Sequence, residues 1–264
     1  TVNNRLRKLS AFMNWCKTNG YVADNPLLGL KVMTGPAKEA RLSFDRQDLT
    51  ILLDLAELKA EARKHPWRYW LPLLGRATGA RLEELCQLGV DDFIEQQGIQ
   101  CIRIDDNSEG QNLKNASSRR LLPIHPTLIE LGLLGHVESV RGTGADRLFP
   151  ELEPVRGKLG HAPSKWFGRY KKKRGITDPR KTFHSFRHTL IDDLRDSGVQ
   201  DSLIKRIAGH EDGAVPFSIY GSRSPLKAMV DALRHIELGS QAQAQVAELG
   251  HTNQTSMDTE TNDD

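Results

Sequence analysis

The sequence predicts a mainly α-helical protein with one small antiparallel β-sheet, an α+β fold. Two observations lead there. Apolar residues recur at three- and four-residue spacing through most of the chain, as in Phe186, Leu190, Ile191 and Leu194, which is the signature of helices with one buried face. Only two short stretches, residues 99–104 and 119–124, read as strands, and the turn-rich DDNSEGQN stands between them. With 264 residues, 38% hydrophobic and 27% charged, the chain is long enough to bury a large core.

Taken in order, residues 1–18 predict an amphipathic helix with Leu6, Leu9, Phe12, Met13 and Cys16 on its inner face. Asn19-Gly20 ends it. The chain opens without Met, and residues 1–30 are too short for a core of their own, so they read as the end of a helical domain. Residues 31–41 form a Gly-Pro linker. Ser43 and Asp45 offer caps for a helix running through Leu49, Leu52, Leu53 and Leu55. Another helix spans residues 67–76, with Pro72 tolerated near its first turn. Thr78-Gly79 breaks the pattern and ARLEELCQL restarts it.

After the two strands, His125-Pro126-Thr127 opens a helix, residues 142–163 are rich in loops, and residues 164–174 form a basic helix holding Trp166, Phe167 and Tyr170. The face traced by Phe186 to Leu194 stops at Ser197-Gly198, and a second, through Leu203, Ile204 and Ile207, stops at Gly209. Ser224-Pro225 caps a last helix through Leu226, Met229, Val230, Leu233 and Ile236. The tail, residues 239–264, is polar and acidic and reads as disordered.

The net charge is only +3, from 37 basic and 34 acidic residues, yet five of the acids and none of the bases lie from Gly239 onward. The body therefore carries +8. Between Lys165 and Arg187 nine bases face one acid, Asp178. Such a patch suits either a polyanion or an ordinary solvated surface. Cys16, Cys86 and Cys101 lack any paired spacing and read as reduced thiols of a cytosolic protein. No run reaches the ~18 apolar residues of a membrane span.

The chemistry concentrates in residues 182–220. His184 and Arg187 stand three apart at a helix start, where both can face one spot that favours anions. A permanent guanidinium grips phosphate oxygens, and an imidazole moves protons near neutral pH. In TGARLEEL, Arg81 follows a tight turn and Glu84 lies one helical turn on, able to hold the guanidinium. His210 follows Ala208-Gly209, and Tyr220 comes ten residues later. Taken singly, each has an ordinary alternative: a capping pair, an exposed ion pair, a packing tyrosine.

Together, Arg81, Lys114, His184, Arg187, His210 and Tyr220 resemble, in that order, the tyrosine recombinase (phage integrase) family. The matching segments are TGARLEEL, the lysine of NLKNASSRRLLPI, HSFRHT and AGHEDGAVPFSIYG. The resemblance covers residues 42–238 as catalytic domain, and residues 1–30 resemble the end of that family's core-binding domain. It implies a recombinase in which Tyr220 attacks a DNA phosphodiester, Arg81 and Arg187 stabilise the transition state, and Lys114 protonates the leaving oxygen. His184 assists proton transfer, His210 bonds the phosphate, and Glu84 orients Arg81. It further implies no cofactor or metal, double-stranded DNA attachment sites as partner, a homo-tetramer on DNA, a cytoplasmic location, and a last helix packed on its own domain or on a neighbour. Lys171, Lys172, Lys173 and Arg174 are candidates for DNA-backbone contacts.

Three rival readings stand beside it. His184 and His188 have metal-ligand spacing, with His210 and Asp212 as further donors, but no Glu adjoins the first His and Arg187 would repel a dication. A DNA-binding module without chemistry and a type IB topoisomerase share parts of the pattern.

Overall fold

The computed structural model describes residues 2–32, 41–63, 65–106, 111, 118–209 and 225–239. The chain divides into two compact units, Thr1–Ala40 and Arg41–Asp264.

In the first unit, helix α1 (Val2–Thr18) carries the returning segment to Val32 along one side. Buried Asn25 fixes that side: its amide donates to the Ser10 carbonyl at 3.0 Å and to Asn14 Oδ1 at 2.7 Å. Asn3 pairs with both backbone groups of Val32. Leu6, Met13 and Cys16 consequently turn inward, whereas Leu9 and Phe12, expected on the inner face, are exposed. The amide ladder of Asn25 chooses the face, and Phe12, Trp15 and Tyr21 stack on one another outside.

The second unit begins with two short helices rather than one. Asp45 caps α2 (Arg46–Leu52) in a reciprocal box with Asp48, and Asp54 caps α3 (Leu55–Ala62) by accepting from the Glu57 amide. The carboxylate of Asp54 thus restarts the helix that the leucine spacing alone would continue. Helix α4 (Trp67–Thr78) is buried along almost its whole length. Pro72 lies in its second turn, one turn later than its sequence reading placed it. Gly79 ends α4 in the left-handed region, φ 59°. Helix α5 (Leu82–Cys86) follows.

The sheet has three antiparallel strands in the order β1 (Phe93–Gln96), β2 (Ile99–Ile104) and β3 (Arg120–Pro123). Strand β1 departs from the two-strand expectation. It pairs with β2 through a two-residue turn, Gln97-Gly98, both at positive φ, and glutamine is a weak signal for such a turn.

Helices α6 (Pro126–Glu130), α7 (Leu133–Arg141) and α8 (His161–Lys173) then lead to α9 (Ser185–Asp196) and α10 (Asp201–Ala208). Helix α9 packs on α4. The closeness of that packing shows at two glycines. A Cβ on Gly75 would lie 3.3 Å from the Phe186 ring, and one on Gly79 would lie 2.6 Å from Leu190 Cδ2. Gly79→Ala combines that clash with a left-handed backbone, and is expected to cost about 2 kcal/mol or more in denaturant unfolding.

Helix α11 (Leu226–Leu233) packs within its own unit, with Leu226, Met229, Leu233, Ile236 and Leu238 all buried. The segment after it is held by two buried polar groups. Arg76 donates Nε to the Glu237 carbonyl at 3.0 Å and pairs with Asp193. His125 accepts from the Thr127 amide through Nδ1, so its Nε2 carries the proton and donates to the Ile236 carbonyl at 2.9 Å. No helix among the described residues is long and apolar enough to cross a membrane.

Candidate active site

Helices α4, α5 and α9 meet at the Thr78-Gly79 turn. Thr78 is buried and caps back on the Leu74 carbonyl, and Gly79 reverses the chain so that Arg81 opens α5. From α9, buried Arg187 donates Nη1 to the Gly79 carbonyl at 3.0 Å and Nη2 to the Gly209 carbonyl at 3.4 Å. Gly209 ends α10 at φ 67°. One guanidinium therefore ties the turn before Arg81 to the turn that leads toward His210.

Arg81 is held as its local sequence suggests. Glu84 accepts from the Arg81 backbone amide at 3.0 Å and from its Nη1 at 2.6 Å. Ser118 Oγ accepts from the same Nη1 at 3.0 Å. About a quarter of the Arg81 side chain stays exposed, and Glu84 is almost wholly buried. Burial pushes the Glu84 carboxyl up, but Arg120 and Arg81 outweigh it and hold its pKa below the usual range.

Two participants escaped the sequence reading. Arg120, at the start of β3, is buried and donates to Glu84 Oε2 at 3.0 Å. Glu83, beside Glu84, turns the other way: its two carboxylate oxygens accept from the Leu159 and Gly160 amides at 2.9 Å, which fixes α5 to the start of α8. Neither is periodic or paired with a near neighbour of opposite charge, so composition and spacing carry no mark of them.

His184 stands at the N-terminal end of α9 next to the cluster, without a side-chain capping bond. Its pKa is pushed down to about 4, first by burial and then by His188, Arg41, Arg187 and Arg81. The imidazole is thus neutral at pH 7. Arg187 is pushed down to about 10, by burial and then by Arg120 and Arg81, and remains a cation. The folded state takes up the His184 proton only near pH 4, whereas an unfolded chain takes it near 6.5. Stability from this group is therefore present above about pH 6.5 and is lost as pH falls toward 4. His184→Gln is expected to lose less stability than the parent between pH 7 and pH 5 in denaturant unfolding. An identical loss in both would refute the assignment.

The remaining sequence candidates separate. Lys114, His210 and Tyr220 lie outside the described residues, as do Asp212 and residues 240–264. The basic run at the end of α8 is not one uniform patch. Lys171 is buried, with Nζ on the Ile176 and Asp178 carbonyls at 3.1 and 2.8 Å. Arg174 pairs with Asp54 and Glu57. Lys172 and Lys173 are exposed, with Lys173 Nζ 3.7 Å from Glu61. His184 and His188 stand edge to face, 5.1 Å between ring centroids, and among the described residues no three His, Cys, Asp or Glu side chains form a group able to hold a metal. Of the described tyrosines, Tyr69 and Tyr170 are buried and their phenols are pushed up by desolvation, Tyr69 to about 12. Tyr21 is exposed in the first unit. Neither buried phenol suits a nucleophile.

The fold recurs in known proteins. The fold is similar to that of the Tn1549 transposon integrase in complex with a circular intermediate DNA, with a TM-score of 0.55 at 16% identity over 94% of this chain and 78% of that one. It is also similar to a lambda integrase dimer bound to a COC' core site, with a TM-score of 0.54 at 16% identity over 87% of this chain and 59% of that one. In sequence, 106 residues are 34% identical to IntQ of Escherichia coli (strain K12), a protein designated defective; they make up 39% of this chain and 24% of IntQ. The chain thus matches about a quarter of that relative's length. Residues 45–225 match the phage integrase family as a whole, a span that contains α2 through α10, Arg81, Glu84, His184 and Arg187. The chain belongs to the phage integrase family.

Proposed function

We propose that the chain is the catalytic part of a site-specific DNA recombinase, cleaving and rejoining strands through a 3′-phosphotyrosyl link to Tyr220. The observation that carries this reading is the joining of Arg81 and Arg187 at the Thr78-Gly79 turn, beside a neutral His184. Cations held in place before reaction stabilise charge that develops on the non-bridging oxygens of a phosphodiester under attack. A guanidinium has five N–H donors, so Arg187 can serve its two carbonyls and still turn donors to phosphate.

The Tyr220 phenol gives its proton to His184 as its oxygen bonds to phosphorus. The bond from phosphorus to the 5′-oxygen breaks, and that oxygen takes a proton from Lys114. His210 bonds the phosphate. Religation reverses these transfers with another 5′-hydroxyl and needs no external energy source. A His184 pKa near 4, set first by burial and then by neighbouring cations, makes a weak base, and an arriving phosphate opposes the cations' share of that depression.

Double-stranded DNA at recombination sites is the substrate in this reading, and the active form is an assembly of several copies on DNA. Solved relatives of the fold include a lambda integrase tetramer bound to a Holliday junction. Lys172 and Lys173 remain candidates for backbone contacts, whereas Lys171 and Arg174 are committed to carbonyls and carboxylates of their own chain. The likeness to a protein designated defective keeps a second reading in view, DNA binding without cleavage.

A nicked suicide substrate, carrying a recombination site from DNA flanking the gene, separates the two. The expected result is a covalent adduct whose proteolytic fragment bears the nucleotide on Tyr220. Tight binding with no adduct would leave only the second reading.

A further inference from the structure

Arg120 is an arginine with almost no access to solvent, in a cluster that already holds two others. Each of its three nitrogens donates to the protein. Nε reaches the Ile207 carbonyl at 3.1 Å, Nη1 the Ser118 carbonyl at 2.8 Å, and Nη2 Glu84 Oε2 at 3.0 Å. It is only 5% exposed, and each of its nitrogens is already engaged within the protein.

Those acceptors are not arbitrary. Two of them belong to the residues whose other atoms, Glu84 Oε1 and Ser118 Oγ, hold Arg81 Nη1. Ile207 lies in the last turn of α10, two residues before Gly209, whose carbonyl accepts from Arg187. Gly209 itself must be small here, since a Cβ would lie 2.8 Å from Arg120 Nη1. Arg120 thus touches the holders of one guanidinium and the acceptor segment of the other.

A buried ion pair adds little net stability over a well-packed apolar side chain, so a retained one calls for another reason. Lysine has one nitrogen and could not span three acceptors in a planar fork. We propose that Arg120 is a positioning residue for DNA cleavage, setting Arg81 and the end of α10 in one fixed arrangement. This rests on the recombinase reading above for its consequence, but not for its geometry.

Arg120→Lys tests it with two readouts. The first is single-turnover cleavage of nicked substrates, with either a phosphodiester or an uncharged methylphosphonate at the scissile position. Misplacement of a guanidinium by about an ångström slows reaction on the order of 10²-fold, and that loss is expected on the phosphodiester. On the methylphosphonate, where there is less charge to stabilise, the loss is expected to be several-fold smaller. Equal slowing on both, or no slowing on the phosphodiester, would overturn the proposal.

The second readout needs no activity. In nitrogen-15 spectra, rotation of the Arg81 guanidinium is expected to be slow in the parent and fast in Arg120→Lys; unchanged rotation would overturn the positioning role. Absence of any adduct from the parent protein condemns the recombinase reading while the rotation measurement still decides the role of Arg120. Should Arg120→Lys fail to fold, Arg120→Gln, which shortens the side chain and removes the fork, is read in the same way.

Discussion

Replacing Arg187 by glutamine is expected to slow DNA strand cleavage by about 10³-fold or more, the scale on which preorganised donors and arginine fingers act. The amide has no charge and cannot reach both the Gly79 and Gly209 carbonyls that the guanidinium spans. DNA affinity should change only several-fold, since one phosphate contact among many is lost. Single-turnover cleavage of the nicked substrate, set beside binding at fixed salt, separates these effects. Arg187→Lys should fall between the two, because it keeps the charge but not the fork. A loss below about tenfold in Arg187→Gln would remove Arg187 from the reacting centre.

The second large effect is on stability. Glu84→Ala leaves two arginines, one of them wholly buried, without their shared carboxylate. Removing one partner of a buried pair costs about 3–5 kcal/mol. Denaturant unfolding at pH 7 should show a loss of that size, whereas Glu84→Gln, which keeps the shape and one acceptor, should lose less. The Glu84 carboxyl is held below its ordinary pKa, so its contribution is present above about pH 4.5 and is lost as pH falls further. If Glu84→Ala unfolds at the parental midpoint, the cluster is not holding the fold at that point.

The site was legible where its residues sit on periodic helices with clear stops. The Phe186 to Leu194 face, the stop at Gly209 and the Thr-Gly break before Arg81 all stand in the structure. What stayed hidden depends on partners distant in sequence. Arg120 bonds to Ile207, 87 residues away, and no local pattern reports that. The run Lys171–Lys173 and Arg174 looks uniform as text, but the turn after α8 folds its carbonyls back over Lys171 and draws it inside. In α1, leucine and phenylalanine spacing set out an apolar face, and a single asparagine amide decided which part of it is covered.

The bond from Arg187 to Gly79 has a consequence in time. Its two ends lie 108 residues apart. At synthesis rates of about 5–20 residues per second, some 5–20 s separate the emergence of Gly79 from that of Arg187. Until then the carbonyl has no guanidinium and α4 has no α9 to pack against. A ribosome-bound chain can thus present its first arginine to nucleic acid, but not the pair. In the proposed recombinase, that pairing sets the assembly of the two arginines behind the synthesis of nearly the whole second unit.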